Sequence, residues 1–132
     1  KRPSNAVIGI TDNGDVFGAY VSVAINETSK YSPDDGLFAF SFFSHGRCDV
    51  PQRWMLKKDR RNAGEEVYVF NPSYSKFIRF GVSQQNFCFG NKPNESRLST
   101  PSDLFEGLRH DVLTGDWSGK FTAARLLVVR LE

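Results

Sequence analysis

Sulfur is scarce in this chain: two cysteines, Cys48 and Cys88, and one methionine occur among 132 residues. A small secreted scaffold held by disulfides carries more cysteine than that, so folding must rest on a hydrophobic core. No apolar run reaches the 18 residues of a membrane-spanning helix. No secretory signal peptide is recognised in the sequence. It starts at Lys1 without a methionine, which reads as a fragment of a longer protein. The net charge is only +2, too little to demand nucleic acid or a membrane surface for the molecule as a whole. No Gly-x-Ser-x-Gly elbow, protease-type cysteine context, internal repeat or low-complexity segment is present. The expectation is a non-enzymatic domain with no catalytic residues, no metal and no cofactor.

Aromatic residues are abundant instead. Twelve phenylalanines lift the aromatic share to 14%, which favours sheets with a large apolar area per residue. At this length one domain can bury about two-thirds of its unfolded surface. Six apolar segments have strand lengths: 6–11, 16–23, 37–43, 77–82, 86–90 and 124–131. Asp12-Asn13-Gly14-Asp15 lies between the first two and predicts a tight hairpin turn. In the second segment Phe17, Ala19, Val21 and Val23 share one face, and Gly18, Tyr20 and Ser22 share the other. Leu37 to Phe43 is apolar on both faces apart from Ser41, the pattern of a central strand covered on both sides. Two weaker strands are expected at 53–57 and 67–70. Ile78, Phe80 and Val82 face inward, as do Phe87 and Phe89, and these two segments form a second hairpin. In the last strand Leu127, Val129 and Leu131 share a face. Residues 91–103 read as a long polar loop. Leu104, Leu108 and Val112 are four apart and predict a helical turn or more, capped by Ser102 or Asp103. The fold class expected is mainly β within α+β: one domain over residues 1–132, a two-sheet antiparallel sandwich with a few short peripheral helices.

Candidate functional residues are few. Arg53, Lys57, Lys58, Arg60 and Arg61 are opposed only by Asp59, so nine residues carry +4 and the rest of the chain −2. Trp54 lies among them and Tyr68 follows. Cations that neutralise phosphates beside rings that stack on bases suit nucleic acid. An acidic protein partner, or a solvated loop in which Glu65 and Glu66 pair the charges, fits the same residues. His45 and Cys48 have a metal-like spacing that Cys88, His110 and Asp49 would have to complete, which is short of two close pairs. Asp34, Asp35, Glu65 and Glu66 lie in polar segments, where acids are ordinarily solvated. Cys48, after Gly46-Arg47, is the better redox candidate, because a neighbouring cation favours thiolate. Cys88, within an apolar strand, is expected to be buried. A secreted, carbohydrate-binding sandwich would need a Cys48–Cys88 bridge. It would also draw on the glycosylation sequons at Asn26 and Asn94.

Several phrases, in order, resemble the TLDc domain, a module linked to protection against oxidative stress. They are Gly14-Asp15-Val16-Phe17-Gly18-Ala19-Tyr20, Leu37-Phe38-Ala39-Phe40-Ser41-Phe42, the hairpin from Phe77 to Gly90, and the closing stretch Phe121 to Leu131. The chain departs from the family pattern in having Asp34-Asp35 for a loop glutamate. Gly90 alone stands for a glycine run, and Val128 and Arg130 stand at closing acidic and tryptophan positions. The resemblance implies two packed sheets flanked by helices and no established catalytic chemistry. It also implies an intracellular location, cytoplasmic or nuclear, and a protein partner such as the vacuolar proton pump. The expectation is therefore a non-catalytic interaction module of a stress-response protein, with a DNA-binding regulator using the 53–61 segment as the alternative.

Overall fold

The computed structural model describes residues 4–24, 27–48, 50–60, 64–81, 87–90, 96–98, 102, 104–115 and 120–131, and the backbone alone of His110. Arg61, Asp49, Asp103, Asn26, Asn94, the 82–86 link of the second hairpin and most of the 91–103 loop lie outside the described residues.

The alternating segments become strands. The first sheet is built from β1 (Ser4–Thr11), β2 (Val16–Val21), β4 (Phe38–Phe43), β5 (Gln52–Met55) and β11 (Ala123–Leu131), in the order β11-β1-β2-β4-β5. The second has six strands: β3 (Tyr31–Ser32), β6 (Val67–Val69), β7 (Lys76–Phe80), β8 (Phe87–Gly90), β9 (Ser96–Leu98) and β10 (Lys120–Phe121). They run in the order β10-β9-β8-β7-β6-β3. All of these pairings are antiparallel. The protein is a mainly β, two-sheet sandwich, as the periodicity predicts.

The core lies between the sheets. β1 and β2 present Val7, Phe17, Ala19 and Val21, and the second sheet answers with Val67, Ile78, Phe80, Phe87, Phe89 and Leu98. Phe17 is fully buried at the centre, with ring centroids 5.8 Å from Phe87, 6.1 Å from Phe89 and 5.1 Å from Phe121. Burying each such ring stabilises the fold by about 1.5–3 kcal/mol, and each well-oriented ring pair adds about 0.5–1.5 kcal/mol. The sheets approach closely enough that a Cβ on Gly9 would collide with the Phe89 ring.

The predicted helix is shorter than its spacing suggests. Only His110–Thr114 is helical, here α1, and its N-cap position, Arg109, makes no side-chain capping bond. Two forces stop the helix from starting earlier. Gly107 has a positive φ of 79°, which breaks the right-handed run. The backbone of 104–106 also pairs with the chain leaving β5. Lys57 N–H donates to Leu104 O (2.9 Å), Glu106 N–H donates to Met55 O (2.8 Å), and Leu56 bridges Phe105. The four-residue spacing reports burial all the same: Leu104, Phe105, Leu108 and Leu113 join the core.

Candidate functional site

The basic segment is divided by the strand that begins it. In β5 successive side chains alternate, so Arg53 and Trp54 point to opposite faces. Trp54 turns inward and is only 9% exposed, so its ring is not offered to a base. Arg53 lies on the outer face, with its guanidinium 5.3 Å from the Phe38 ring centroid. The chain then turns through one 3-10 turn, Lys58–Arg60, closed by Arg60 N–H donating to Lys57 O (3.0 Å). Lys57 and Lys58 line a shallow groove of about 560 Å³ together with Met55, Leu56, Asp59 and Glu106. Two carboxylates share that groove with the two lysines, so its charge is mixed.

The two cysteines are free, which removes the bridge that a secreted reading needs. Cys88 is buried in β8, as its strand context predicts. Cys48, the redox candidate, is partly buried against the core, and its N–H donates to Ser44 Oγ (2.9 Å). Among the described residues no three of His, Cys, Asp and Glu come together as a metal site. Among the described residues no helix is long and apolar enough to cross a membrane.

The structure assembles a different cluster, around Asp15 at the start of β2. This carboxylate is buried, and groups from the end of β1 and from the turn after β4 converge on it. Arg47 Nη2 lies 2.6 Å and His45 Nδ1 2.7 Å from Asp15 Oδ1. Thr11 Oγ1 donates to Oδ2 at 3.3 Å while accepting from the Asp15 N–H at 3.0 Å. The turn after β4 places both the His45 and the Arg47 side chains. His45 and Gly46 have positive φ values of 53° and 83°, and Arg47 N–H closes the turn onto Ser44 O (3.1 Å). The His45 ring rests on Phe43 at 4.7 Å between centroids. Arg47 goes on to donate from Nε to Val112 O (2.7 Å) and from Nη2 to Leu113 O (2.9 Å). These are carbonyls near the end of α1, where no further helical turn supplies donors. One guanidinium thereby ties the first hairpin, the post-β4 turn and α1 together. Beside the cluster is a cavity of about 260 Å³ that includes Thr11, Asp12, Asp15, Thr114, Lys120 and Phe121 in its lining. The Asp–His pair resembles two members of a hydrolytic triad. Among the described residues, however, the hydrogen bond of the His45 ring is the one to Asp15, and no hydroxyl or thiol nucleophile reaches it.

Two acids expected to be solvated are interior. Asp34 and Glu66 are 1% and 2% exposed. Asp34 accepts from Ser22 N–H (2.8 Å), from Gly36 N–H (3.0 Å) and, through a very short contact, from the Ser22 hydroxyl. Glu66 accepts from Asp34 N–H (3.0 Å) and Glu65 N–H (2.7 Å). Both carboxylates hold loop amides in place. On the outer face of the second sheet the Arg79 guanidinium sits among three rings. Centroids lie at 5.1 Å for Tyr68, 5.2 Å for Phe70 and 5.7 Å for Tyr31, and Arg79 donates to Tyr31 Oη at 2.6 Å. A cation so enclosed is held by the rings and is a structural element of the sheet.

The most extensive candidate surface is the outer face of the five-stranded sheet. Register sets two rows across it: Leu127, Ile8, Gly18, Phe40, Arg53 and Val129, Ala6, Tyr20, Phe38, Met55. Nine of these ten positions are uncharged and only Tyr20 among those nine carries a polar group. Tyr20 stacks on Phe38 at 4.9 Å, and Phe40 meets Phe42 at 4.8 Å. Phe42 is 54% exposed. The two-sided apolar pattern of β4 predicts cover on both faces: on the outer face Phe40 is buried and Phe38 half-buried, while Phe42 at the end of the strand is exposed. No protein-family model matches the chain, and no curated protein matches it either.

Proposed function

We propose that this domain is a non-catalytic protein-interaction module of an intracellular oxidative-stress-response protein, as its resemblance to TLDc domains implies, and that it docks through the outer face of the five-stranded sheet. The observation that carries this reading is the pair of apolar rows ending in exposed Leu127, Val129 and Met55, with Phe42 beside them. Contiguous apolar surface of this kind marks sites of association. Phe42 and Met55 are exposed enough to be replaced without emptying the core. The wild-type domain and a Phe42→Asp, Met55→Asp variant, immobilised side by side, test the reading against the purified peripheral sector of the vacuolar proton pump. Binding by wild type that weakens roughly tenfold or more in the variant supports it. Equal binding by both proteins would move the contact elsewhere, and no binding by wild type would remove the pump as partner.

A nucleic-acid reading draws support from Lys57 and Lys58 lining one groove, and it is weakened by Asp59 and Glu106 in that groove and by the burial of Trp54. Fluorescence-anisotropy titration of duplex DNA at two salt concentrations tests it, with a Lys57, Lys58, Arg60, Arg61→Ala variant alongside. The expected outcome is no salt-dependent binding that the variant abolishes. Binding that falls linearly in log affinity with log salt, and is lost in the variant, would make DNA the partner.

A further inference from the structure

We propose that the open edge of β11 pairs antiparallel with β11 of a second copy of this chain, joining two five-stranded sheets into one of ten strands with Val128 on the two-fold axis. This builds on the reading of the domain as an interaction module and names one of its partners. Among the described residues β11 has β1 on one side and no strand on the other. The other sheet margins are short: β5 has four residues and includes Gln52 and Arg53, while β10 and β3 have two each. β11 has nine, and Leu126-Leu127-Val128-Val129 runs through its middle without a charge. Proteins shield sheet edges by keeping them short or placing charge or proline along them. This strand has charge only at the ends of the apolar run, at Arg125 and Arg130.

The register is self-complementary. Pairing with β1 places Arg125, Leu127, Val129 and Leu131 on the outer face, with Ile10, Ile8, Ala6 and Ser4 as partners. Leu126, Val128 and Arg130 take the inner face, opposite Gly9, Val7 and Asn5. A two-fold axis perpendicular to the sheet keeps outer residues opposite outer residues. Arg125 and Arg130 lie on different faces, so no allowed register sets them against each other. With Val128 on the axis, Leu127 meets Val129 of the second copy, Leu126 meets its Arg130, and Arg125 meets its Leu131. Seven residues of each strand then pair with no like charges opposed. Val128, 53% exposed in the single chain, gains its own copy as a neighbour. The apolar rows of the outer face run on from one subunit into the other.

Sedimentation velocity over a concentration series from micromolar to near-millimolar tests this, with the fold of each variant checked by circular dichroism. Wild type should show a reversible monomer–dimer equilibrium. Val128→Lys should weaken it by roughly tenfold or more, because two cations then face each other on the axis. Val50→Lys, an exposed apolar position away from β11, should leave it unchanged. In a Cys48→Ser background, Val128→Cys should form a disulfide-linked dimer under mild oxidation, and Ala124→Cys should not. A monomer at every concentration would overturn the proposal, as would a dimer indifferent to Val128→Lys. Equal cross-linking from positions 124 and 128 would overturn the register. A monomeric wild type would leave the outer-face reading standing, since that is decided by the Phe42→Asp, Met55→Asp comparison.

Discussion

Phe17 and Val128 both face the interior side of the same sheet, two strands apart, yet their environments are opposites. Phe17 is 0% exposed and touched by three other phenylalanines, whereas Val128 is more than half exposed. Both obey the two-residue alternation of their strands. The difference is cover from the facing layer: Phe17 meets the rings of Phe87, Phe89 and Phe121, whereas Val128 is not part of the buried cluster. Strand periodicity therefore assigns a side chain to a face. Whether that face is buried depends on how far the opposite layer extends.

Substitutions at the two ends of this contrast should separate stability from association. Phe17→Ala removes the central ring and should cost about 3–5 kcal/mol, read as a large drop in denaturant midpoint. A cost below 1 kcal/mol would mean that the two sheets can collapse onto the vacancy. Arg47→Ala leaves the buried Asp15 without its guanidinium partner and two carbonyls at the end of α1 without their donor. A loss of about 1–3 kcal/mol is expected by equilibrium unfolding, and Arg47→Lys should restore only part of it, because an ammonium cannot reproduce the fork. Gly9→Ala drives a methyl into Phe89 and should cost about 1–2 kcal/mol through overpacking. A neutral result would show that the second sheet can yield there. Val128→Lys should alter the stability of the single chain by no more than about 0.5 kcal/mol, while changing its self-association most.

The parts of this fold that were legible in the sequence are those in which local pattern and environment agree. β1, β2, β4, β7, β8 and β11 all announced themselves by apolar alternation, and the inward assignments of Phe17, Ile78, Phe80, Phe87 and Phe89 hold. β3, β9 and β10 have only two or three residues, too few to show a period, and their backbone pairing is set by neighbouring strands. The four-residue spacing at 104–113 also arises when a looped segment buries Leu104 and Leu108, so it did not fix a helix there. Gly107 was the signal against it. The Asp15 cluster joins residues thirty and more apart, which no local window can connect. Its one visible trace was a polar turn, Ser44-His45-Gly46-Arg47, wedged directly after an apolar strand. Asp34 and Glu66 carried no trace at all, since a carboxylate that collects backbone amides and one that faces water occupy the same kind of segment. Trp54 shows the converse error: its charged neighbours suggested a surface ring, but strand alternation put it on the opposite face from Arg53.

The Asp34–Glu66 relay has a consequence for the motions of the molecule. Ser22, Asp34, Gly36 and Glu65 all lie outside strands, yet their amides donate to carboxylates that are almost wholly sequestered from water. In deuterated solvent these four protons should exchange on the slow timescale of the strand ladders and not on that of surface loops. Their release would then report separation of the two layers at the far end of β2 from Asp15, before any strand has come apart.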